Sequence, residues 1–409
     1  MKLFLYTLSF IFASAGIDYC QPVTWTAQQS PTAQNLYGIA FIDSSTWVAV
    51  GNDGIILRST DGGTSWSLVS SPSNDQLRSV TFLGSVGLAV GISGRVLRST
   101  DSGLNWIEET RPTTRNLYSV SISSIMAVIT GEEGTILVSY DGGLTWTSHT
   151  AGTASILFGV SVNDSTAVGV GGQGAVVMSV DGGTGWGLTI LGQNIFFYST
   201  SFINGSTGWA VGSSLATGNV IIHSTDYGFV WSAQSAPTTE QLFGVSFASL
   251  TTGFAVGTGG AIIYTTNGGI TWLNSVSGTF QTLSAVAFID TIRGIAVGDG
   301  GTILKSSAGG PVKVVEERNP QPYNFSLEQN YPNPFNPSTQ INYSIPEDGF
   351  VSLKLYNLLG KEIAEPVNGI VKAGKHRFTF NASSLPSGVY LYRLETNNKV
   401  MVKKMMLIK

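Results

Sequence analysis

Between residues 21 and 310 the chain is a succession of short apolar runs, each broken by a cluster of glycine, serine, threonine or asparagine. The first four runs lie near Leu36–Ile42, Val48–Val50, Ile55–Ser59 and Ser65–Val69. They are too short for helices, and the turn residues between them predict strands joined by tight hairpins. The group of four then recurs with a period of about 40 residues.

Three landmarks fix the repeat. A tryptophan stands at Trp66, Trp106, Trp146, Trp186, Trp231 and Trp272. An apolar residue opens the next strand eleven positions later, at Leu77, Leu117, Leu157, Phe197, Leu242 and Leu283. A glycine follows an Ala/Val-rich run at Gly51, Gly91, Gly131, Gly171, Gly212, Gly257 and Gly298. There are thus seven glycines and six tryptophans. The seventh tryptophan is at the other end: Trp25 lies eleven residues before Leu36, the spacing of every other pair. Val23–Gln29 is therefore expected to be the outer strand of the last unit. A strand from one end that completes a sheet begun at the other closes a circular array, whereas an open solenoid would need caps. Four short strands per unit at this period predict an all-β fold, a seven-bladed β-propeller over residues 21–310 closed by an N-terminal strand.

Each tryptophan ends a polar turn. Ser59–Trp66 reads STDGGTSW, and the later turns place Asp101, Asp141, Asp181, Asp226 and Asn267 where the first has Asp61. The seventh turn, Ser306–Gly310, carries Ala308 there. Repeated carboxylates invite a catalytic or metal reading, but turn chemistry accounts for them. Gly62 and Gly63 accept backbone angles that other residues resist, and an Asp before them accepts backbone N–H groups further along. Asn267 can do the same and cannot act as a carboxylate. Strand order places all these turns on one face, here the lower, opposite the first-strand entries. Asp61, Asp101, Asp141, Asp181, Asp226 and Asn267 are read as structural.

The motif resembles the Asp-box, or bacterial neuraminidase repeat. With the preceding VGNDGIILRSTDGG it resembles specifically the photosystem II assembly-factor family of propellers. The resemblance extends over every blade and implies the propeller fold. The repeat occurs in enzymes and non-enzymes alike, so it implies no activity.

Composition narrows the functional classes. Charged residues are 11% of the chain and the net charge is −4, so nothing points to nucleic acid. A single cysteine, Cys20, excludes an internal disulfide, and the three histidines have no metal-ligand spacing. No metal or cofactor is expected. The opening MKLFLYTLSFIFASAG reads as a secretory signal over residues 1–15, with Lys2, an apolar run and Ala13-Ser14-Ala15. No other stretch reaches transmembrane length.

The upper face offers a candidate site. The residue after each strand-opening landmark is Tyr37, Arg78, Tyr118, Phe158, Tyr198, Phe243 or Ser284, a near-complete aromatic ring at the channel mouth. Packing between blades is the other role open to these aromatics. Arg78, Arg95, Arg111 and Arg115 fall on upper loops of the second and third blades, with Glu132 and Glu133 near enough to neutralise them. Exposed Tyr and Arg favour binding hot spots. A sialidase-like enzyme would need an arginine cluster, a nucleophilic Tyr with a Glu partner, and an acid. No nucleophile motif or nucleotide fingerprint appears.

After Gly310 the character changes. Residues 21–310 hold 16 acids and 8 Lys/Arg, whereas 311–409 hold 8 acids and 12 Lys/Arg. A charged, proline-containing linker is expected over 311–326, then a small Ig-like β-sandwich over 327–409. The segments NYPNPFNPST, LYNLLGKEI, LPSGVYLYRL and KVMVKKMMLIK resemble the type A C-terminal sorting domain of type IX secretion. The resemblance implies export across both membranes to the surface or medium and handling by the type IX machinery. It also implies that Pro386, Gly388, Tyr390, Lys399, Lys403 and Lys404 carry the signal. The expected protein is a secreted or cell-surface, non-catalytic propeller that binds a protein or glycan. A glycoside hydrolase of sialidase type and an envelope-protein assembly factor are the alternatives.

Overall fold

The computed structural model describes residues 23–308, 325–346, 349–371, 374–396 and 399–408. The expected signal over 1–15, Cys20 and most of the expected linker lie outside the described residues. The chain divides into two compact units, one up to Pro311 and the other from Val312.

The first unit is built of seven four-stranded antiparallel sheets. The first blade comprises Leu36–Phe41, Trp47–Gly51, Ile56–Ser59 and Ser67–Val69, within two residues of the bounds read from the sequence. The seventh blade takes Leu283–Phe288, Gly294–Gly298 and Ile303–Ser307 from the end of the array and Thr24–Ala27 from its beginning. Thr24 pairs with Ser307 and Ala27 with Leu304. Trp25 lies edge-on to Phe254 and Phe288, at 6.3 and 5.7 Å between ring centroids, and so seals the sixth blade against the seventh.

The core is divided among the blade interfaces. Between the seventh and first blades, Leu36, Trp47, Leu57 and Trp66 pack with Ile295, Val297 and Ile303, all buried. The glycine landmark has a steric cause. A Cβ on Gly51 would stand 2.1 Å from the Asn35 carbonyl oxygen, and the six equivalent glycines meet the same carbonyl at 1.8–2.4 Å. Contact that close excludes any side chain.

The innermost strands face the channel and would leave N–H groups without partners. Serines of the neighbouring blade supply them. Val120 N donates to Ser79 Oγ at 3.2 Å, Val160 N to Ser119 Oγ at 3.1 Å and Val245 N to Ser199 Oγ at 3.3 Å. A second tier repeats this nearer the lower face, with Phe202 N on Ser161 Oγ and Phe247 N on Ser201 Oγ, both at 3.1 Å.

The second unit is a sandwich of a three-stranded sheet on a four-stranded one. Its core includes Ile341, Val351, Leu353, Leu355, Tyr392, Leu394 and Met405. The expected linker is shorter than read from the sequence: Phe325 is buried in this core and Ser326 pairs with Ser344. No helix among the described residues is long and apolar enough to cross a membrane.

Candidate functional site

The turn after each third strand closes on its own side chains. In the first blade Asp61 Oδ1 accepts from Ser59 Oγ at 2.8 Å, Thr64 N at 3.0 Å and Ser65 N at 2.9 Å, while Oδ2 accepts from Ser65 Oγ at 2.6 Å. Ser59 Oγ accepts from Gly63 N, and Trp66 Nε1 donates to Gly63 O at 3.1 Å. Asp101, Asp141, Asp181 and Asp226 repeat the central bonds. Asn267 substitutes its amide: Oδ1 accepts from Thr265 Oγ1 and Thr271 N at 3.0 Å, and Nδ2 donates to Thr271 Oγ1 at 2.9 Å. Trp272 departs from the series, because its Nε1 donates to Gln234 Oε1. The hydrogen bond from Ser65 holds the Asp61 carboxyl well below its ordinary range. Burial opposes the effect at Asp141, but the bonds from Thr145 prevail and hold it at about 2. Carboxylates so saturated with donors favour the charged form and are ill placed to take up a proton. Gly62 N donates to Ser45 O in the turn after the first strand, which puts these motifs at the end away from the first-strand entries.

The opposite end holds the ring. Tyr37, Arg78, Tyr118, Phe158, Tyr198, Phe243 and Ser284 all line one cavity of about 160 Å³ on the propeller axis. All seven are half-buried. Tyr118, Phe158, Tyr198 and Phe243 form an unbroken arc with successive centroids 5.2, 5.4 and 5.0 Å apart. The Arg78 guanidinium continues the arc, 5.6 Å from the Tyr118 centroid and 4.8 Å from that of Tyr37. Ser284 is the gap between Phe243 and Tyr37. The next residue inward is small for a packing reason: a Cβ on Gly38 would lie 3.0 Å from Ser79 Cα, and one on Gly159 2.9 Å from Tyr198 O.

The arginines separate into two groups. Arg95 is buried, with Nε 3.1 Å from Asp75 Oδ2 and its head also against Glu108. Arg111 joins Glu108 at 3.2 Å, and Arg115 meets Glu133 at 2.5 Å. None of these three lines the cavity. On the lower side Arg58 Nε donates to Ser102 O and Arg98 Nε to Gly142 O, both at 2.9 Å, tying each blade to the next turn. Arg293 pairs with Asp290. Arg78 differs from all of them: its buried Nε has no hydrogen-bond partner, and among the described residues no carboxylate stands within ion-pair distance.

Glu132, on the turn after the second strand of the third blade, accepts from Asn116 Nδ2 at 2.8 Å and from the Tyr118 hydroxyl at 3.4 Å. Burial, reinforced by the Glu132 charge, pushes the Tyr118 phenol upward. Sequence reading missed both this pair and the serine girdle. The signal for the girdle was the Ser or Gly that follows six of the seven ring positions.

In the sandwich, Tyr390 Oη donates to Pro386 O at 2.7 Å, a tyrosine corner of the kind that locks such sheets. Val400–Leu407 is an edge strand paired with Gly388–Thr396, and Lys399, Lys403 and Lys404 on or beside it are exposed. Its end is also clamped by the proline-rich segment: Phe335 N donates to Met406 O, Ile408 N to Phe335 O and Met406 N to Asn333 Oδ1.

Comparison with known proteins agrees with this architecture. Residues 329–409 match the family model described as the secretion system C-terminal sorting domain. Residues 17–168 match that of photosynthesis system II assembly factor YCF48. No curated protein matches the chain. Among solved structures, "YCF48 bound to D1 peptide" aligns with a TM-score of 0.58 at 20% identity, covering 69% of this chain and 96% of that one. YCF48 from Cyanidioschyzon merolae gives 0.58 at 20% identity over 69% and 98%. The WD40 propeller domain of Doa1 gives 0.57 at 10% identity over 70% and 97%. At these identities the structural likeness establishes the fold. The chain is thus a β-propeller similar in its first blades to the YCF48 assembly factors, followed by a tail similar to secretion-system sorting domains.

Proposed function

We propose that this protein is an exported, non-catalytic binding module that holds a protein partner at the upper mouth of its propeller. The C-terminal sandwich serves as the type IX export signal. The observation that carries the binding reading is the arc of half-buried aromatic side chains and one unpaired guanidinium around a single axial cavity. Such side chains dominate binding hot spots. A structural relative solved with a bound peptide supports a protein partner over a glycan. The match of residues 17–168 to an assembly-factor model favours the related reading of an envelope-protein assembly factor.

The sialidase alternative draws on the Tyr118–Glu132 pair, which is the Tyr and Glu arrangement such enzymes use. Two features weigh against it. The Tyr118 phenol is pushed up, which makes it a poorer nucleophile at neutral pH. The cavity is lined by one arginine, and the others are engaged elsewhere.

The test compares the full wild-type chain with Tyr118→Ala and Phe158→Ala, in crosslinking within an exporting host, on a glycan array and with reporter glycosides. Capture of one protein that both variants lose is expected. Glycoside turnover abolished by Tyr118→Phe would overturn the non-catalytic reading, and array binding without protein capture would overturn the protein partner.

A further inference from the structure

Arg78 presents a problem in the chemistry of the site. A guanidinium carries five N–H donors in a planar fork and keeps its charge in any protein environment. Burying part of one without a partner is unfavourable, and such groups are ordinarily paired. Every other arginine of the propeller follows that rule: Arg58 and Arg98 reach carbonyls, and Arg95, Arg111, Arg115 and Arg293 reach carboxylates. Arg78 has aromatic rings on two sides, from Tyr37 and Tyr118, and a buried Nε with nothing to donate to. The rings hold the fork in place and strip water from its faces. The buried Nε is out of a ligand's reach, so recognition falls to the terminal N–H groups of a side chain that lines the axial cavity.

We infer that the axial cavity is a carboxylate subsite in which Arg78 binds the two oxygens of a ligand carboxylate. This inference rests on the upper mouth being the binding face and names the chemistry that face selects. A planar fork matches a carboxylate through two parallel hydrogen bonds, which a point charge cannot reproduce. The arc from Tyr118 to Phe243 fixes the shape of the wall by ring-on-ring contact, and the surface left open to the cavity is predominantly polar. The cavity, of about 160 Å³, has room for a residue-sized group. Ser284 leaves the ring open on one side, between Phe243 and Tyr37, where the rest of the ligand can pass. The same carboxylate can come from a chain terminus or from an acidic side chain, and the probes below separate the two.

The experiment uses the full chain and ligand-observed NMR titration with three peptides: acetyl-Ala-Ala-Phe with a free carboxyl end, the same peptide as its amide, and acetyl-Ala-Glu-Phe amide. At least one carboxylate peptide is expected to bind about tenfold or more tighter than the neutral amide, the ratio given by one charge-assisted pair. Arg78→Gln is expected to abolish that preference, and Arg78→Lys to restore part of it. Circular dichroism confirms that each variant is folded. Ser284→Tyr closes the ring without touching Arg78 and is expected to weaken the same peptide. Equal binding of all three peptides, absence of binding by all three, or a preference unchanged in Arg78→Gln overturns the inference. Loss of partner capture in Tyr118→Ala with capture intact in Arg78→Gln would leave the binding face standing and remove only the carboxylate subsite.

Discussion

Closure of the ring by Thr24–Ala27 can be tested at one side chain. Trp25→Ala removes an indole that lies edge-on to Phe254 and Phe288 at the seam between the sixth and seventh blades. Truncating a fully buried tryptophan costs about 3–5 kcal/mol. Trp25 is half-buried, so part of that cost is already met by solvent. The two edge-to-face pairs account for roughly 0.5–1.5 kcal/mol each, which brings the expected loss to ~2–3 kcal/mol. For a domain of this size each kcal/mol moves the midpoint by about 2–4 °C, so the melting temperature should fall by roughly 4–12 °C. All nine tryptophans of the chain lie in the propeller, so their fluorescence reports its unfolding without interference from the sandwich. Thr24→Ala is the control. Its exposed hydroxyl meets Ser307 Oγ at 3.0 Å, and its loss should cost less than about 0.5 kcal/mol. A Trp25→Ala midpoint within about 1 °C of the wild type would refute the reasoning, because an inert seam residue cannot be what closes the ring.

Three further outcomes are expected. Asp61→Asn should keep most of the stability, since Asn267 already serves in the sixth blade, whereas Asp61→Ala should lose ~1–2 kcal/mol in urea titration. The Asp141 carboxyl, held at about 2 in the fold against 3.8 ordinarily, stabilises the propeller fully above its ordinary value. That contribution is lost as pH falls through the folded value, so Asp141→Asn should flatten the fall in melting temperature between about pH 4 and pH 2. A fluorescent protein carrying residues 325–409 behind a secretory signal should reach the surface or medium of a type IX host and stay periplasmic when Lys399–Lys409 are removed. Unaffected export would make the sandwich an accessory domain.

The sequence by itself determined the blade count, the closing strand and the fate of the repeated carboxylates. These are local quantities. Trp25 and Leu36 stand eleven residues apart like every other pair, and Asp61 bonds within four residues of itself, so spacing and residue type suffice. The ring was also legible as a set of positions, because Tyr37, Tyr118 and Phe158 occupy one phase of a regular repeat. What the sequence could not say is which charges remain unpaired. Arg78, Arg95, Arg111 and Arg115 look alike along the chain, yet Arg95 meets Asp75 twenty residues back and Arg78 meets only aromatic faces. That difference depends on which loops the folded blade brings side by side, as Arg95 meets Asp75 at the entry of its own blade and Glu108 on its outer strand, and no local pattern gives access to that. The serine girdle, the Trp272–Gln234 bond and the clamp of Phe335 on the final strand have the same origin. In each, a donor finds an acceptor distant in sequence, and only the packed tertiary structure decides which one comes within hydrogen-bond distance.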